Sequence, residues 1–302
     1  MKVLVTGGSG FIAAWIIRRL VRAGHTVRVL DVKPSQETAI DIIGPSAAAI
    51  EWLVGDIRNA KAVNGAMNGC DAVAHLAAIL TTDCQTDPVL GVEINLIGAL
   101  RVFEAAKLHR LQRIVYASSA GVFGPNDGLT PRPITHYGAF KLAIEGCART
   151  YWEYDKISSV AFRPFVVYGP GRETGLTAGP SLACRAAARG IAYTIPFTGS
   201  SDLLFVDDLA AAFLAALTMP WSGAHVFNLV GETATTEQVV EEIRRQVPAA
   251  KLSATGPKLP TSAEIAPDPL LSSVLGPLPL TKLAKGIAET VGYYCKAKSH
   301  IA

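Results

Sequence analysis

The segment YGAFK places a tyrosine and a lysine four residues apart, as Tyr137 and Lys141. On a helix this spacing puts both side chains on one face. A tyrosine hydroxyl has an ordinary pKa of about 10, too high for a base at neutral pH, but a nearby ammonium stabilises the phenolate. The pair could therefore accept a proton from a substrate alcohol, although two such residues alone are more often ordinary neighbours on a helix surface.

Two serines lie in the segment YASSAGVFG, residues 116–124, directly after a predicted strand. Open α/β sheets bind ligands at the carboxyl ends of their strands, so we expect this loop near a ligand. Ser119 is well placed to hydrogen-bond the reacting oxygen. In the alternative interpretation, Ser118 and Ser119 satisfy only backbone groups of the loop, which is a common role for serine.

A glycine-rich segment, TGGSGFIA at residues 6–13, joins the first predicted strand to the first predicted helix. Gly7 permits the tight turn, and Gly10 allows the backbone to approach a pyrophosphate. The helix that begins near Phe11 offers unpaired N–H groups and the positive end of its dipole to phosphates. Ala13 stands where a third glycine is common, and its small side chain still permits close packing. The segment predicts a dinucleotide site.

An acidic residue follows this turn, because Asp31 ends the second predicted strand, at the spacing of about 20 positions that the motif requires. A carboxylate there accepts the ribose hydroxyls and repels a 2′-phosphate, which favours NAD over NADP. Arg28 and Lys33 are close enough in sequence to leave NADP open, and Asp31 could also be a solvated acid at a strand end. Asp56, in the segment GDIR, could bind the adenine amine or cap the following helix.

These motifs need strands that alternate with helices. Strands are predicted at residues 2–5, 26–30, 51–54, 72–75, 113–117 and 159–162. Helices are predicted at residues 11–23, 60–67, 89–108 and 137–154. The alternation is typical of an α/β protein with a Rossmann-type, doubly wound parallel sheet that helices cover on both faces.

After Arg163, glycines and prolines interrupt the pattern, which indicates a smaller, interleaved C-terminal substrate domain. Residues 1–168 are assigned to the dinucleotide-binding Rossmann domain, to which residues 202–230 return. The smaller domain is assigned residues 169–201 and 231–302. Further helices are predicted near 182–188 and at 206–217, 236–246 and 280–294, and a strand at 224–229. Six prolines predict an irregular surface segment at 256–279.

Composition argues against several other classes of protein. The net charge of +3 over 302 residues is mild, and Lys and Arg form no stripe of the kind that nucleic acid or an anionic membrane requires. The five cysteines form no CxxC pair and have no close histidine spacing, so neither a disulfide framework nor a metal site is expected. The chain enters a strand at once, and no apolar run is long enough to span a membrane. We expect a soluble, cytoplasmic protein that acts on a small molecule.

Taken together, these residues resemble the NAD-dependent epimerase/dehydratase family, the extended short-chain dehydrogenases/reductases. The resemblance covers nearly the whole chain. It rests on Asp31, Asn95 and the segments TGGSGFI at 6–12, GDIR at 55–58, HLAA at 75–78, SSAGVFG at 118–124, YGAFK at 137–141, RPFVVYGPG at 163–171 and FVDDLA at 205–210. It implies NAD as the cofactor and hydride chemistry at a hydroxyl group.

The resemblance also implies a role for individual residues. Ser119, Tyr137 and Lys141 correspond to the family's catalytic triad. Cofactor contacts are implied for Gly7, Gly10, Phe11, Ile12, Asp31, Asp56, Ile57, Leu76, Ala77, Ala78, Asn95, Ser118, Tyr137, Lys141 and Pro164. Within that set, Ser118 and Pro164 are expected at the nicotinamide end, and Asn95 as a structural support. Helices equivalent to 89–108 and 137–154 commonly form a dimer interface in the family, so a homodimer is expected.

Two departures from the family bear on the substrate. Relatives that bind nucleotide sugars usually have Asn at the position of Val166, and an arginine for the diphosphate in the run that here reads Gly199–Asp202. Loss of this charge-assisted contact favours a smaller carbohydrate-derived alcohol, such as a sugar acid or a polyol. Arg172 could pair with a substrate carboxylate, although a solvent-exposed loop arginine is the more common case. Thr81 lies in a segment that contacts substrate in the family.

Three functions are compatible with these residues. A dehydrogenase would release NADH, whereas an epimerase would oxidise its substrate only transiently and retain NAD. Ala120 and Gly121 stand where the family's sugar dehydratases have an acid/base pair, which argues against a dehydratase. A protein that senses NAD without catalysis would not need Ser119, Tyr137 and Lys141 together. The sequence therefore favours the dehydrogenase.

Overall fold

The computed structural model describes residues 1–33, 37–125, 128–261, 263 and 265–298. The strands, in chain order, are β1 (Lys2–Thr6), β2 (Thr26–Asp31), β3 (Glu51–Val54), β4 (Ala72–His75), β5 (Arg113–Ala117), β6 (Ser158–Arg163), β7 (Val166–Tyr168), β8 (Tyr193–Ile195), β9 (Ser200–Phe205), β10 (Ala224–Asn228), β11 (Glu232–Thr235) and β12 (Leu252–Ala254). The helices are α1 (Phe11–Arg22), α2 (Glu37–Ile43), α3 (Ala60–Met67), α4 (Thr81–Thr86), α5 (Pro88–Val92), α6 (Gly98–Leu108), α7 (His136–Asp155), α8 (Gly179–Arg189), α9 (Val206–Thr218), α10 (Thr236–Gln246), α11 (Leu271–Leu275) and α12 (Leu283–Lys298).

A parallel sheet of seven strands forms the centre of the described molecule, in the order β3-β2-β1-β4-β5-β6-β10. Its register is fixed by pairs such as Leu4 of β1 with Arg28 of β2 and Val73 of β4. The order reverses between β1 and β4, so the crossovers on the two sides of this point leave the sheet in opposite directions. The predicted Rossmann-type doubly wound fold is confirmed.

Helices cover both faces of this sheet, which explains why its strands are nearly continuous apolar runs. On one face α1 packs against α9, with Ile17 and Phe213 fully buried in a shared core. On the other face α3, α6 and α7 enclose a second core that includes Phe103 and Ile144. No helix of the described residues is both long and apolar enough to cross a membrane.

A second, smaller layer lies beyond the carboxyl edge of the sheet. Strands β11, β9 and β7 form one small sheet, and β12 pairs with β8 in another. Their apolar side chains share a third core with α8, α10 and α12. We propose that residues 1–168 and 202–230 form the cofactor domain, and that residues 169–201 and 231–302 form a substrate domain. Strands β7 and β9 would then belong to a small sheet that both domains share.

The long helix predicted at residues 89–108 contains an internal irregularity. It runs as α5, then a π-helical turn at Glu93–Ile97, then α6. Turns of this kind insert one extra residue into a helix and are frequent at functional sites. Here the turn carries Asn95, whose side chain is buried.

The C-terminal half is more regular than the sequence predicts. The helix expected near 182–188 begins at Gly179 and has Pro180 in its first turn. Proline is tolerated there because a backbone N–H in the first turn would have no partner within the helix. The segment 256–279 is not wholly irregular, since its described part contains α11 and a bridge between Thr198 and Lys258; residues 262 and 264 lie outside the described part. The predicted helix is confirmed with an earlier start, and within the described part of 256–279 the expected irregularity is interrupted by α11 and this bridge.

Gly286 of α12 allows a close helix contact that can be tested by substitution. A Cβ added there would lie 2.1 Å from the hydroxyl oxygen of the buried Tyr168, whereas a Cβ at Gly292 on the same helix meets nothing within 4 Å. We expect Gly286→Ala to lower the free energy of unfolding by about 1–3 kcal/mol. Gly292→Ala should raise it by about 0.5–1 kcal/mol, because alanine favours helix. Denaturant titration of both variants measures this, and equal effects would contradict the packing.

Candidate active site

A cleft of about 850 Å³ opens at the carboxyl edge of the sheet beside β1 and β4. Its volume is within the range of natural ligand sites, and its position at the reversal of strand order is where such sheets bind ligands. The residues predicted from sequence that line it are Gly7, Gly10, Phe11, Ile12, Asp31, Asp56, Ile57, Leu76, Ala77, Ala78, Tyr137, Lys141 and Arg172. Ser118, Ser119, Asn95, Pro164 and Thr81 are not among the lining residues.

The glycine turn leaves space that side chains would fill. Gly7 has a φ of +70°, and a Cβ there would lie 2.7 Å from the backbone of Ala77. A Cβ on Gly10 would lie 3.2 Å from the carbonyl oxygen of Gly7. No side chain caps the first turn of α1, so its N–H groups are open to a ligand anion. This arrangement fits a pyrophosphate.

Asp31 is fixed beside the glycine turn in the same cleft. Its carboxylate accepts the N–H of Ser9 at 3.0 Å and the N–H of Lys33 at 3.1 Å. Arg28 does not line the cleft, because its guanidinium is paired with Glu51 at 2.8 Å. The structure therefore leaves Lys33 as the nearby lining cation and keeps the carboxylate where ribose hydroxyls would bind, which fits a dinucleotide without a 2′-phosphate.

Asp56 lies on the cleft wall but is engaged by its own neighbour. Arg58 donates to its carboxylate from the backbone at 2.8 Å and from the side chain at 2.7 Å. These hydrogen bonds lower the pKa of Asp56. The alternative that Asp56 caps α3 is wrong, because the side chain of Asn59 accepts the first N–H groups of that helix. Asp56 is thus an ionised carboxylate at the cleft, held by Arg58.

Tyr137 and Ser119 meet where α7 begins. Thr135 caps the helix by accepting the N–H of Gly138 at 3.1 Å, which sets Tyr137 in the first turn. The Ser119 hydroxyl hydrogen-bonds Tyr137. It also accepts the N–H of Gly121 at 3.0 Å. The two interpretations of Ser119 are therefore combined, because one hydroxyl both orders its loop and contacts the phenol.

Burial shifts the pKa values of both Tyr137 and Lys141. Burial raises the pKa of Tyr137 to about 12, and the Ser119 hydrogen bond and the charge of Arg172 only partly oppose this. The ammonium of Lys141 donates to the carbonyl oxygen of Ala117 at 2.7 Å and lies 5.5 Å from the centre of the Tyr137 ring. Burial lowers the pKa of Lys141 to about 8. Loss of solvent is the largest influence on both pKa values, so a phenolate stabilised by Lys141 together with an oxidised nicotinamide stays a prediction.

Ser118 faces away from the cleft, which corrects its expected place beside a nicotinamide. Its hydroxyl donates to the carboxylate of Glu145, which is buried on α7. Arg163, at the end of β6, completes the group with a two-point contact to the same carboxylate, one bond of which is 2.8 Å. Successive side chains of an extended segment point to opposite sides. Because Ser119 meets Tyr137, its neighbour Ser118 turns toward the interior.

The other predicted residues support the cleft from behind. Asn95 accepts the N–H of Ile79 at 2.8 Å and donates to its carbonyl oxygen at 2.9 Å. Since Ile79 lines the cleft, Asn95 fixes part of that wall. Pro164 is buried, and its carbonyl oxygen accepts the N–H of Ala120 at 2.9 Å. Thr81 begins the short helix α4 rather than lying in a loop.

Two parts of the site were missed from sequence. Glu145 follows Tyr137 and Lys141 at a further helical spacing of four, so a carboxylate on the buried face of α7 was a readable signal. Residues Thr38, Ala39 and Ile42 of α2 also line the cleft, but no motif marks that helix.

The approach of α7 to the Ser119 loop is backbone to backbone, which gives a prediction. A Cβ on Gly138 would lie 2.0 Å from the carbonyl oxygen of Gly121, so Gly138→Ala must displace one of the two. We expect kcat/KM to fall by up to about 10²-fold, because Ser119 then shifts relative to Tyr137. Gly146→Ala on the same helix is the control, since nothing lies within 4 Å of its added Cβ. Equal activity of the two variants would contradict this geometry.

The buried ammonium of Lys141 should affect stability as pH changes. Its pKa is about 8 in the folded protein against an ordinary 10.5, so the unfolded chain binds more protons between these values. The cost of burying the charge is therefore full below pH 8 and is lost as pH rises toward 10.5. We expect the unfolding free energy of the wild type to rise relative to that of Lys141→Met across this window. A constant difference between their denaturation curves would mean that the pKa of Lys141 is the same in the folded protein as in the unfolded chain, as for a solvated ammonium.

Comparison with known proteins agrees with this site. The family described as NAD dependent epimerase/dehydratase matches residues 3–230. A UDP-glucose 4-epimerase of Mycolicibacterium smegmatis is 30% identical over 97% of this chain and 98% of its own length. A D-erythronate dehydrogenase of Cupriavidus necator is 26% identical over 81% of this chain and 82% of its own. The structure of Thermus thermophilus UDP-glucose 4-epimerase in complex with NAD has a TM-score of 0.84 and 26% identity, covering 97% of this chain and 99% of that one. The chain belongs to the NAD-dependent epimerase/dehydratase family, as its motifs predicted.

Proposed function

We propose that this protein is an NAD-dependent dehydrogenase that oxidises a hydroxyl group of a small carbohydrate-derived alcohol, a sugar acid or a polyol. The proposal rests mainly on the Tyr137 hydroxyl, which is hydrogen-bonded to Ser119 on one wall of the cleft. The glycine turn and Asp31 line the other end of the same cleft. One relative is named a D-erythronate dehydrogenase, which supports a small sugar acid.

The residues of the site suit proton transfer at a single oxygen. Because burial holds the pKa of Tyr137 near 12, its phenol is protonated at neutral pH until a further positive charge joins those of Lys141 and Arg172. Bound NAD supplies the hydride acceptor and, in its oxidised form, that positive charge. Once its own proton has passed to solvent, the Tyr137 phenolate accepts the proton of the substrate hydroxyl at its Oη, while Ser119 holds the substrate oxygen. Lys141 has one N–H on Ala117 and retains two donors for a ribose.

The substrate side argues for a small molecule. Ser201 and Asp202, in the run where nucleotide-sugar enzymes of the family usually have an arginine, are each 3% exposed. Asp202 accepts the N–H of Gly231 at 2.7 Å, and burial raises the pKa of this carboxyl to about 6. Neither Ser201 nor Asp202 lines the cleft, and this run supplies no guanidinium for a diphosphate. This supports a ligand without a nucleoside diphosphate.

The proposal is tested with purified protein, NAD and a panel of aldonates, uronates, polyols and nucleotide sugars. NADH in solution and cofactor retained on the protein are followed together. Release of one NADH per substrate oxidised supports the dehydrogenase. Product isomers with retained NAD would instead identify an epimerase, and NAD binding with no turnover of any substrate would identify a binding protein.

We expect Tyr137→Phe to lower turnover of the best substrate by about 10² to 10⁴-fold, because it removes the proton acceptor. NAD affinity, measured by calorimetry, should be nearly unchanged. Tyr154→Phe is the matched control, since this tyrosine lies on the same helix and is 85% exposed. Full activity of Tyr137→Phe would show that another group moves the proton.

We also propose that the protein is a homodimer in which the segment 88–108 and α7 of each subunit form the interface. Val89 and Tyr154 on these elements are 68% and 85% exposed. Large apolar and aromatic side chains at a surface are typical of sites where another protein chain packs.

A further inference from the structure

Arg172 extends from a turn whose backbone is held on two sides. The carbonyl oxygen of Pro170 accepts the indole N–H of Trp15 from α1 at 3.0 Å. The N–H of Gly171 donates to the hydroxyl of Tyr294 from α12 at 3.0 Å. Gly171 has a φ of +89°, which side chains rarely allow, so the turn has few alternative paths. The starting point of the Arg172 side chain is therefore fixed by the fold.

The guanidinium of Arg172 is also held in place. One terminal nitrogen donates to the carbonyl oxygen of Val167, and the other donates to the hydroxyl of Thr177 at 2.7 Å. The group lies 5.9 Å from the ring centre of Phe11, the first residue of α1. These bonds use two of its five N–H donors, so three are available to a ligand in the cleft that Arg172 lines.

The charge of Arg172 has no acidic partner among the described residues. The carboxylate of the adjacent Glu173 pairs with Arg185 instead. Burial lowers the pKa of Arg172 to about 10, and the other group that acts on it is the Tyr137 phenol. An arginine stays protonated at neutral pH, so an unpaired cation stands beside the phenol. A partly desolvated charge of this kind is costly unless an anion compensates it.

We propose that Arg172 binds a carboxylate of the substrate, so that the preferred substrate is a small hydroxy acid rather than a neutral polyol. This rests on the proposed function and narrows it. The planar guanidinium suits a carboxylate, which can accept two parallel N–H bonds. Because Arg172 and Tyr137 line the same cleft, one small molecule can reach both. The acid group then directs which hydroxyl meets the phenol.

A cofactor phosphate is the competing occupant, since Phe11 lies at the start of α1. The uncapped N–H groups of that helix are themselves available to a phosphate. Arg172, in contrast, is within electrostatic reach of Tyr137, the group assigned to the reacting oxygen. The two occupants also predict different kinetics, because a phosphate contact would affect every substrate equally.

The test compares Arg172→Gln and Arg172→Lys with wild type on an aldonate and on the alditol of the same carbon skeleton. For the aldonate we expect Arg172→Gln to lower kcat/KM by about 10- to 100-fold, as for loss of a hydrogen bond to a charged group. For the alditol kcat/KM should fall much less, because only the influence of Arg172 on the Tyr137 phenol is lost, and Arg172→Lys should recover part of the aldonate activity. Arg189→Gln is the control for the change in charge, because Arg189 is exposed and lies outside the cleft.

Binding measurements separate this inference from the proposed function. Calorimetry should show weaker aldonate binding to the NADH complex of Arg172→Gln and unchanged binding of NAD. Equal losses on aldonate and alditol, weaker NAD binding, or wild-type behaviour of Arg172→Gln would each overturn the assignment. If wild type oxidises neither compound, the proposed function fails, and aldonate affinity of the two NADH complexes still decides the role of Arg172.

Discussion

A buried carboxylate on α7 organises the active site. Glu145 is 4% exposed, and its charge is compensated by Arg163 at the end of β6 and by the hydroxyl of Ser118 after β5. Removing one partner of such a pair typically costs about 3–5 kcal/mol, because an uncompensated charge is left in the interior. These contacts fix the position of α7 along its axis and its rotation about that axis, relative to the carboxyl ends of β5 and β6. That constraint brings Tyr137 to Ser119 and Lys141 to the carbonyl oxygen of Ala117.

The same burial that orients Tyr137 and Lys141 also sets their resting protonation. Desolvation raises the pKa of the phenol and lowers that of the ammonium, so it favours the neutral form of both. Glu145 opposes this for Lys141, since its negative charge favours the ammonium. Positive charges near the phenol lower its pKa, and Arg172, which lines the cleft, is one residue that does so. We therefore expect the pKa values of Tyr137 and Lys141 to change when a charged ligand binds.

The sequence predicts the large sheet well because each strand is an apolar run bounded by a motif. It predicts the small sheets poorly, since β8 and β12 have three residues each and pair across a long stretch of chain. Within the site, the glycine turn and Asp31 were predicted from residue type and spacing, and both line the cleft. Ser118 was misplaced because spacing alone does not tell which of two adjacent side chains faces a cleft. The pKa of Tyr137 depends on burial, which only the packed structure gives.

The π-helical turn at Glu93–Ile97 constrains the number of residues in the helix that contains it. Each helical residue advances the direction of side chains by about 100°. Leu90 and Ile94 line the cleft, while Val102 and Phe103, further along, are fully buried in the core. Because the wide turn accommodates one extra residue, deleting a residue from it would restore ordinary winding and change the direction of the side chains within the turn, among them Asn95. Descendants of this gene can therefore exchange side chains here far more easily than they can gain or lose a codon.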